Sequence, residues 1–149
     1  MVVREMTWDE CLATLAPARL ARLACASENQ PYVVPLYLVY HDRFLYGFTT
    51  PGQKVEWMRA NPRVCVEFDD IQGFDHWTSV IVIGRYEELP DSPEWGPERL
   101  RAYELLRRHA EWWEPGAAAR GPHGSTLPSQ AIYYRIRIDR ITGRRAVAE

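Results

Sequence analysis

The sequence predicts a mainly β fold with flanking α-helices: a six-stranded antiparallel β-barrel, closed or split, with two or three helices plugging or flanking its ends. Three observations carry that expectation. Apolar runs recur at even spacing with short, turn-like breaks; the last run alternates strictly between apolar and polar residues; and only two or three segments have helical periodicity. At 149 residues the chain suits a single domain, residues 1–149, large enough to bury about two thirds of its unfolded surface.

Thr7, followed three places later by Glu10, makes a capping box, and Trp8, Cys11, Leu12 and Leu15 recur at helical spacing up to Pro17. A first helix of about two turns follows. Three apolar runs come next: Leu20–Ser27, Tyr32–Tyr40 and Phe44–Thr50. The breaks between them, Glu28–Asn29–Gln30–Pro31 and His41–Asp42–Arg43, are short enough to make these runs adjacent antiparallel strands. Gly52–Asn61 reads as a short helix with Val55 and Met58 on one face, stopped by Asn61–Pro62.

Arg63–Asp69 and Trp77–Leu89 read as two more strands. The second is apolar on both faces through Val80, Ile81, Val82 and Ile83, as a strand covered on both sides should be, and Gly84 marks a bend or bulge in it. From Pro97 a helix places Leu100, Tyr103, Leu106, Ala110 and Trp113 three or four apart, opposite a face of arginines. Glu114–Gln130 is rich in Pro, Gly, Ala and Ser without periodicity, the mark of a long loop that is functional or disordered. The final strand is clear, since Ile132, Tyr134, Ile136 and Ile138 alternate with Tyr133, Arg135, Arg137 and Asp139.

Composition narrows the function classes. Hydrophobic residues at 46% and charged residues at 26% fit a soluble globular protein. A net charge of −2 with dispersed arginines gives no basic block for nucleic acid or an anionic membrane. Cys11, Cys25 and Cys65 are odd in number and never spaced as a CxxC pair, so reduced, mostly core thiols are expected. With no signal-peptide pattern and no run long enough to span a bilayer, the expected location is cytoplasmic. The four histidines are scattered without metal-site spacing, and no GxSxG, HExxH, P-loop or GxGxxG motif gives support to hydrolytic or nucleoside-triphosphate chemistry.

Lys54 is the only lysine among 18 basic side chains, and it opens a helix after Thr49–Thr50–Pro51–Gly52–Gln53. Two hydroxyls, a tight turn, free helix N–H groups and one ammonium suit a phosphate; a solvated surface lysine fits the same residues. Pro35, inside the run Tyr32–Tyr37, marks an edge, a bulge or a place where the sheet opens. Trp77, Thr78 and Ser79 open the fifth strand with an aromatic plane and two hydroxyls, either core and rim or a binding surface. Trp112 and Trp113 precede the long loop, where paired aromatics serve as interface or core anchors more often than as ligand platforms.

Taken in order, Arg19–Ala24, Pro31–Pro35, Leu45–Lys54, Asn61–Val64 and Ser79–Arg85 resemble the pyridoxamine phosphate oxidase-like split-barrel flavoproteins over about residues 5–145, most of all the branch that includes the nitroimidazole-resistance proteins. The resemblance implies an FMN-binding homodimer with cofactor sites in clefts between subunits, acting as an oxidoreductase on a small organic molecule. Lys54 with Thr49 and Thr50 would hold the FMN phosphate, beside Gln53. Backbone atoms of Val34, Pro35 and Leu36 would run along the isoalloxazine, and Trp77, Thr78 and Ser79 would line its far side. Trp113, or its neighbour, would approach the flavin across the interface. Phe48 stands where relatives of the nitroimidazole-resistance branch often carry a histidine, which implies a more apolar pocket there and leaves no nominated acid or base. Sibling branches bind haem or a deazaflavin in the same cleft, so the alternatives are a deazaflavin-dependent reductase and a non-catalytic flavin or haem carrier.

Overall fold

Two tight hairpins set the register from which the sheet grows. The computed structural model describes residues 1–108 and 131–149. Strand β1 is Val2–Glu5, helix α1 Trp8–Leu15, β2 Leu20–Ser27, β3 Gln30–Tyr37, β4 Val39–His41, β5 Phe44–Thr49 and α2 Gln53–Ala60. Then come β6 Arg63–Gly73, β7 His76–Leu89, a 3₁₀ turn at Pro93–Trp95, α3 Gly96–Arg107 and β8 Ile132–Val147. Glu28–Asn29 and Asp42–Arg43 are the two-residue loops of the β2–β3 and β4–β5 hairpins, and all four residues have positive φ. That is the pattern of a type I′ turn, whose twist matches the strands it joins. The expected Ala110–Trp113 end of the third helix and the Glu114–Gln130 loop lie outside the described residues.

The strand order is β3-β2-β6-β7-β8-β5-β4, with β1 also paired to β8 and every pair antiparallel. β3 and β4 stand at opposite ends of that order yet are consecutive in the chain, joined by Leu38. The sheet therefore curls until its two edges meet at that residue, which makes the barrel a split one. The Leu38 N–H leaves the ladder and donates to the Arg19 carbonyl at 2.9 Å.

Eight strands stand where six were expected. The run Tyr32–Tyr40 is two strands because Leu38 divides it between two partners. β1 is short and exposed throughout, with no alternation to betray it, and is held by its ladder to the far end of β8. β6 and β8 likewise run past their expected ends at Asp69 and Asp139, because the long β7 templates polar residues on both sides.

Inside the barrel lie Ala21, Leu23 and Cys25, with Val64, Val66 and Phe68 from β6, Val80 and Val82 from β7, and Tyr134 and Ile136 from β8. Leu15 and Cys11 of α1 and Met58 of α2 plug this core. A second cluster joins Val39, Tyr46, Phe48, Leu89 and Tyr133 beneath Ala102 and Leu106 of α3. Each fully buried aliphatic or Phe side chain contributes about 1.5–3 kcal/mol. The ladder does shift register at Gly84, but the extra residue is Asp139 of β8 and not one of β7; Gly84 is needed there because an added Cβ would collide with the Arg137 carbonyl.

The expected capping box closes α1: the Glu10 N–H donates to Thr7 Oγ1 at 3.2 Å, and the Thr7 N–H to Glu10 Oε1 at 3.0 Å. Arg4 and Arg145 both reach Glu10, tying β1, α1 and β8 together. Cys11 and Cys25 are buried and Cys65 half-buried, all three unbridged. On β7 only the inner face is covered within one chain, for Ile81 and Ile83 are 40% and 45% exposed. No helix among the described residues is long and apolar enough to cross a membrane.

Candidate functional site

The end of β5 and the start of α2 build a compact polar corner. Thr49, the last residue of β5, is only 2% exposed, and Lys54 Nζ donates to its Oγ1 at 2.8 Å. The Thr49 hydroxyl in turn donates to the Thr50 carbonyl at 3.3 Å. Gly52 caps α2 without a side chain, and the first bond of the helix is from the Glu56 N–H to the Gly52 carbonyl. The leading N–H groups of α2 thus have no side-chain cap, which leaves a positive helix end beside an ammonium.

Packing holds this corner still. Val55 and Met58 are buried, Trp57 sets an edge-on contact with Tyr32 at 5.6 Å, and Asn61 Nδ2 donates to the Ala26 carbonyl at 3.1 Å. Lys54 is close enough to β2 for its charge to act on Cys25: burial pushes that thiol up, and the ammonium pulls the other way.

β3 pairs with β2 alone, so the backbone groups of its other edge belong to no ladder. Pro35 lies on that edge strand, exposed and opposite Arg22, while half-buried Val34 and buried Leu36 point inward. β3 meets this corner through the Tyr32 ring on Trp57 of α2, and Val34 and Leu36 join the core cluster that also holds Met58. Thr49, Thr50, Gln53 and Lys54 are together because β5 runs directly into α2. The side chain of Phe48 goes elsewhere: it packs in the cluster under α3, 6.0 Å from the Tyr133 ring, on the opposite face of β5 from Thr49.

Trp77, Thr78 and Ser79 are not brought to this corner within one chain. They pair with Ala146, Arg145 and Arg144 near one end of β8, whereas Thr49 pairs with Ile132 at the other. From Ile132 to Ala146 the strand spans roughly 45 Å. Trp77 and Ser79 instead line an open groove of about 630 Å³ whose other wall is β8, with Arg140, Thr142 and Arg144. The alternation readable in the sequence ends at Asp139, and these three residues lie past it on the polar half of β8, which has no apolar phase to announce it. Trp113 lies outside the described residues.

Similarity to other proteins bears on the family and the fold. A family model described as pyridoxamine 5′-phosphate oxidase matches residues 7–145. The chain belongs to the pyridoxamine 5′-phosphate oxidase family. It is 40% identical to the uncharacterised protein RA0666 of Rhizobium meliloti, over 99% of this chain and 98% of that protein. A crystal structure of a FAD-binding protein from Mesorhizobium loti is 47% identical with a TM-score of 0.82, covering 98% of this chain and 99% of that one. A proposed 5-nitroimidazole antibiotic resistance protein from Bacteroides thetaiotaomicron shares the fold of this family at 19% identity and a TM-score of 0.67, covering 97% of this chain and 89% of that one.

Proposed function

We propose that this chain is a cytoplasmic, homodimeric flavoprotein that holds its cofactor by the flavin 5′-phosphate at Lys54 and works as an oxidoreductase on a small organic molecule. The observation that carries the reading is the Lys54 ammonium on the buried Thr49 hydroxyl, at the uncapped start of α2. FMN is the smallest flavin that meets this corner, and a relative 47% identical described as FAD-binding supports flavin as the class.

Each residue has a separate task. Lys54 neutralises the phosphate, with the Thr49 and Thr50 hydroxyls and the first N–H groups of α2 around it. Val34, Pro35 and Leu36 offer the unladdered edge of β3 to the ring system. The partner subunit's Trp77, Thr78 and Ser79 close the far side. The flavin, when bound, supplies electron transfer, while the protein supplies orientation, an anchor and exclusion of water. With the Phe48 side chain packed under α3, no residue is assigned acid–base work.

The test is the absorption spectrum of the purified protein, followed by titration with FMN and by anaerobic reduction with NADH or NADPH. Flavin bands, and reduction followed by reoxidation with an organic acceptor, are expected. A colourless protein that takes up neither FMN nor FAD would overturn the reading. A haem or deazaflavin spectrum would replace the cofactor, and a bound flavin that no donor reduces would leave a carrier in place of an enzyme.

A further inference from the structure

The β6–β7 hairpin ends in a turn that holds a phenyl ring out in water. Among the described residues Phe74 is the most exposed of the large apolar side chains, at 86%, and Ile71 follows at 67%. Phe74 and Asp75 form the turn beyond the last ladder pair, Gly73 and His76, and the ladder shifts register just before it, between Ile71 and Gly73. The turn is tied down from within: the Trp77 indole N–H donates to the Phe74 carbonyl at 3.2 Å, and Gln72 Nε2 donates to Asp70 Oδ1 at 2.6 Å. The neighbouring carboxylates turn aside, since Asp69 takes Arg22 at 3.2 Å and Asp75 folds back beside Gly73. What the tip presents foremost is therefore an apolar side chain on a fixed backbone.

Exposed apolar residues scattered singly need no explanation, but these are not scattered. Ile71 pairs with Trp77 across the ladder, and Trp77, Ser79, Ile81 and Ile83 alternate along one outward face of β7, so the tip continues the stripe on which the proposed partner sits. From the centre of the Ile81–Ile83 stripe to the turn is about seven residues, roughly 25 Å of strand. The same length counted the other way ends at Leu89, whose ladder partner Tyr133 is next to Ile132, the residue opposite Thr49. In the proposed homodimer, a two-fold axis crossing β7 at the stripe would bring the turn of each chain level with Thr49 of the other, where α2 starts. Trp77 stops short of that level, and Phe74 reaches it.

We propose that Phe74, with Ile71 beside it, docks against the α2 corner of a second copy of this chain and closes the entrance to that copy's flavin cleft. The ring is then shielded from water, and it limits both the escape of the cofactor and the size of the acceptor that enters. The inference rests on the flavin and homodimer reading for what the cleft holds. Where the tip docks does not depend on the flavin.

The experiment uses the full chain with Phe74→p-benzoylphenylalanine, a photocrosslinking change that enlarges an exposed ring and keeps the carbonyl that Trp77 holds. Illumination is expected to give a covalent dimer on a denaturing gel, with the link mapped by mass spectrometry to residues 49–60. Within one chain the turn and that stretch lie at opposite ends of β7, so such a link forms only between chains. Light scattering and titration with FMN and FAD are run on the same sample. A dimer that links elsewhere, or not at all, would overturn the docking, and so would a monomer, whatever flavin it binds. A link to residues 49–60 in a protein that takes up neither flavin would remove the flavin reading and leave the docking in place. Phe74→Ser then tests the entrance: in stopped flow FMN should leave roughly ten times faster, the scale of one lost apolar contact, while the dimer persists. Phe74→Leu, still apolar, should keep the normal rate. An unchanged rate in Phe74→Ser, or a faster one that comes only with loss of the dimer, would overturn the role at the cleft.

Discussion

Replacing Lys54 with Ala tests the anchor directly. The ammonium donates to Thr49 Oγ1 at 2.8 Å from the first turn of α2, and no second lysine exists to substitute for it. A hydrogen bond to a charged group contributes about 1.5–3 kcal/mol. At about 1.4 kcal/mol per decade, that is roughly a ten- to hundredfold rise in the dissociation constant for FMN. Quenching of flavin fluorescence measures it. Riboflavin, which lacks the phosphate, is the control: it binds the normal protein weakly and loses little more in the variant. The fold loses the ammonium–Thr49 bond too, at most that same loss of about 1.5–3 kcal/mol, while the Thr49 hydroxyl keeps its bond to the Thr50 carbonyl. Unchanged FMN affinity would refute the assignment, and so would an equal factor of loss for FMN and riboflavin, since that would make Lys54 a structural residue without a phosphate.

Three further outcomes follow from the fold. Ile83→Glu puts a charge on the 45% exposed outer stripe of β7 and should give a folded monomer in light scattering, with flavin affinity lost in parallel; a dimer that survives would place the interface elsewhere. Gly84→Ala pushes a methyl into the Arg137 carbonyl and to 2.8 Å from Ile136 Cγ2, and should cost about 1–3 kcal/mol in urea unfolding, as overpacking does; an unchanged midpoint would deny the close approach. Hydrogen bonds from Arg4 and from the Thr7 backbone hold the Glu10 carboxyl down at about 2. A depressed carboxylate stabilises the fold above its unfolded value near 4.5 and loses that contribution as pH falls toward 2. Thermal melts of Glu10→Gln should therefore converge with the normal protein at pH 2 and lie below it at pH 6; a constant gap across that range would rule the linkage out.

The sequence made one half of the barrel legible and disguised the other. Strands such as Leu20–Ser27 and Ile132–Asp139 announce themselves because one face is buried and the alternation survives in the residue types. β1 and the second half of β8 have no apolar phase, and only their long-range ladders make them strands. Leu38 gave no local warning of the split, since a residue that crosses between sheet edges looks like any other apolar residue in an apolar run. The Lys54 corner was readable because it is local: hydroxyls, turn and cation lie within six residues, and the fold has only to cap β5 with α2. The resemblance puts Phe48 in the pocket, whereas strand alternation gives its side chain to the α3 cluster once Thr49 faces the corner. Residue type and resemblance make Trp77 and its neighbours site residues, and a single chain holds them at the far end of β8 from the Lys54 corner.

That last separation is itself an argument about assembly. A site that needs both Lys54 and Trp77 cannot be made by one barrel whose longest strand stands between them, but in the proposed homodimer a two-fold partner seated on the Ile81–Ile83 stripe would bring the end of one β7 to the α2 corner of the other. Symmetry then makes two equivalent clefts, each with Lys54 from one chain and the partner's Trp77. Complementation distinguishes this from a site within one chain. Lys54→Ala and Trp77→Ala each damage every cleft in their own homodimers. Co-expressed with different tags, they form mixed dimers in which one cleft carries both changes and the other carries neither. With random pairing half the dimers are mixed, so about a quarter of all clefts are restored. Flavin titration of the doubly tagged fraction should recover high-affinity binding at about one site per two chains. Recovery of none would mean that Lys54 and Trp77 act within the same subunit or in separate sites, and the shared cleft would have to be abandoned.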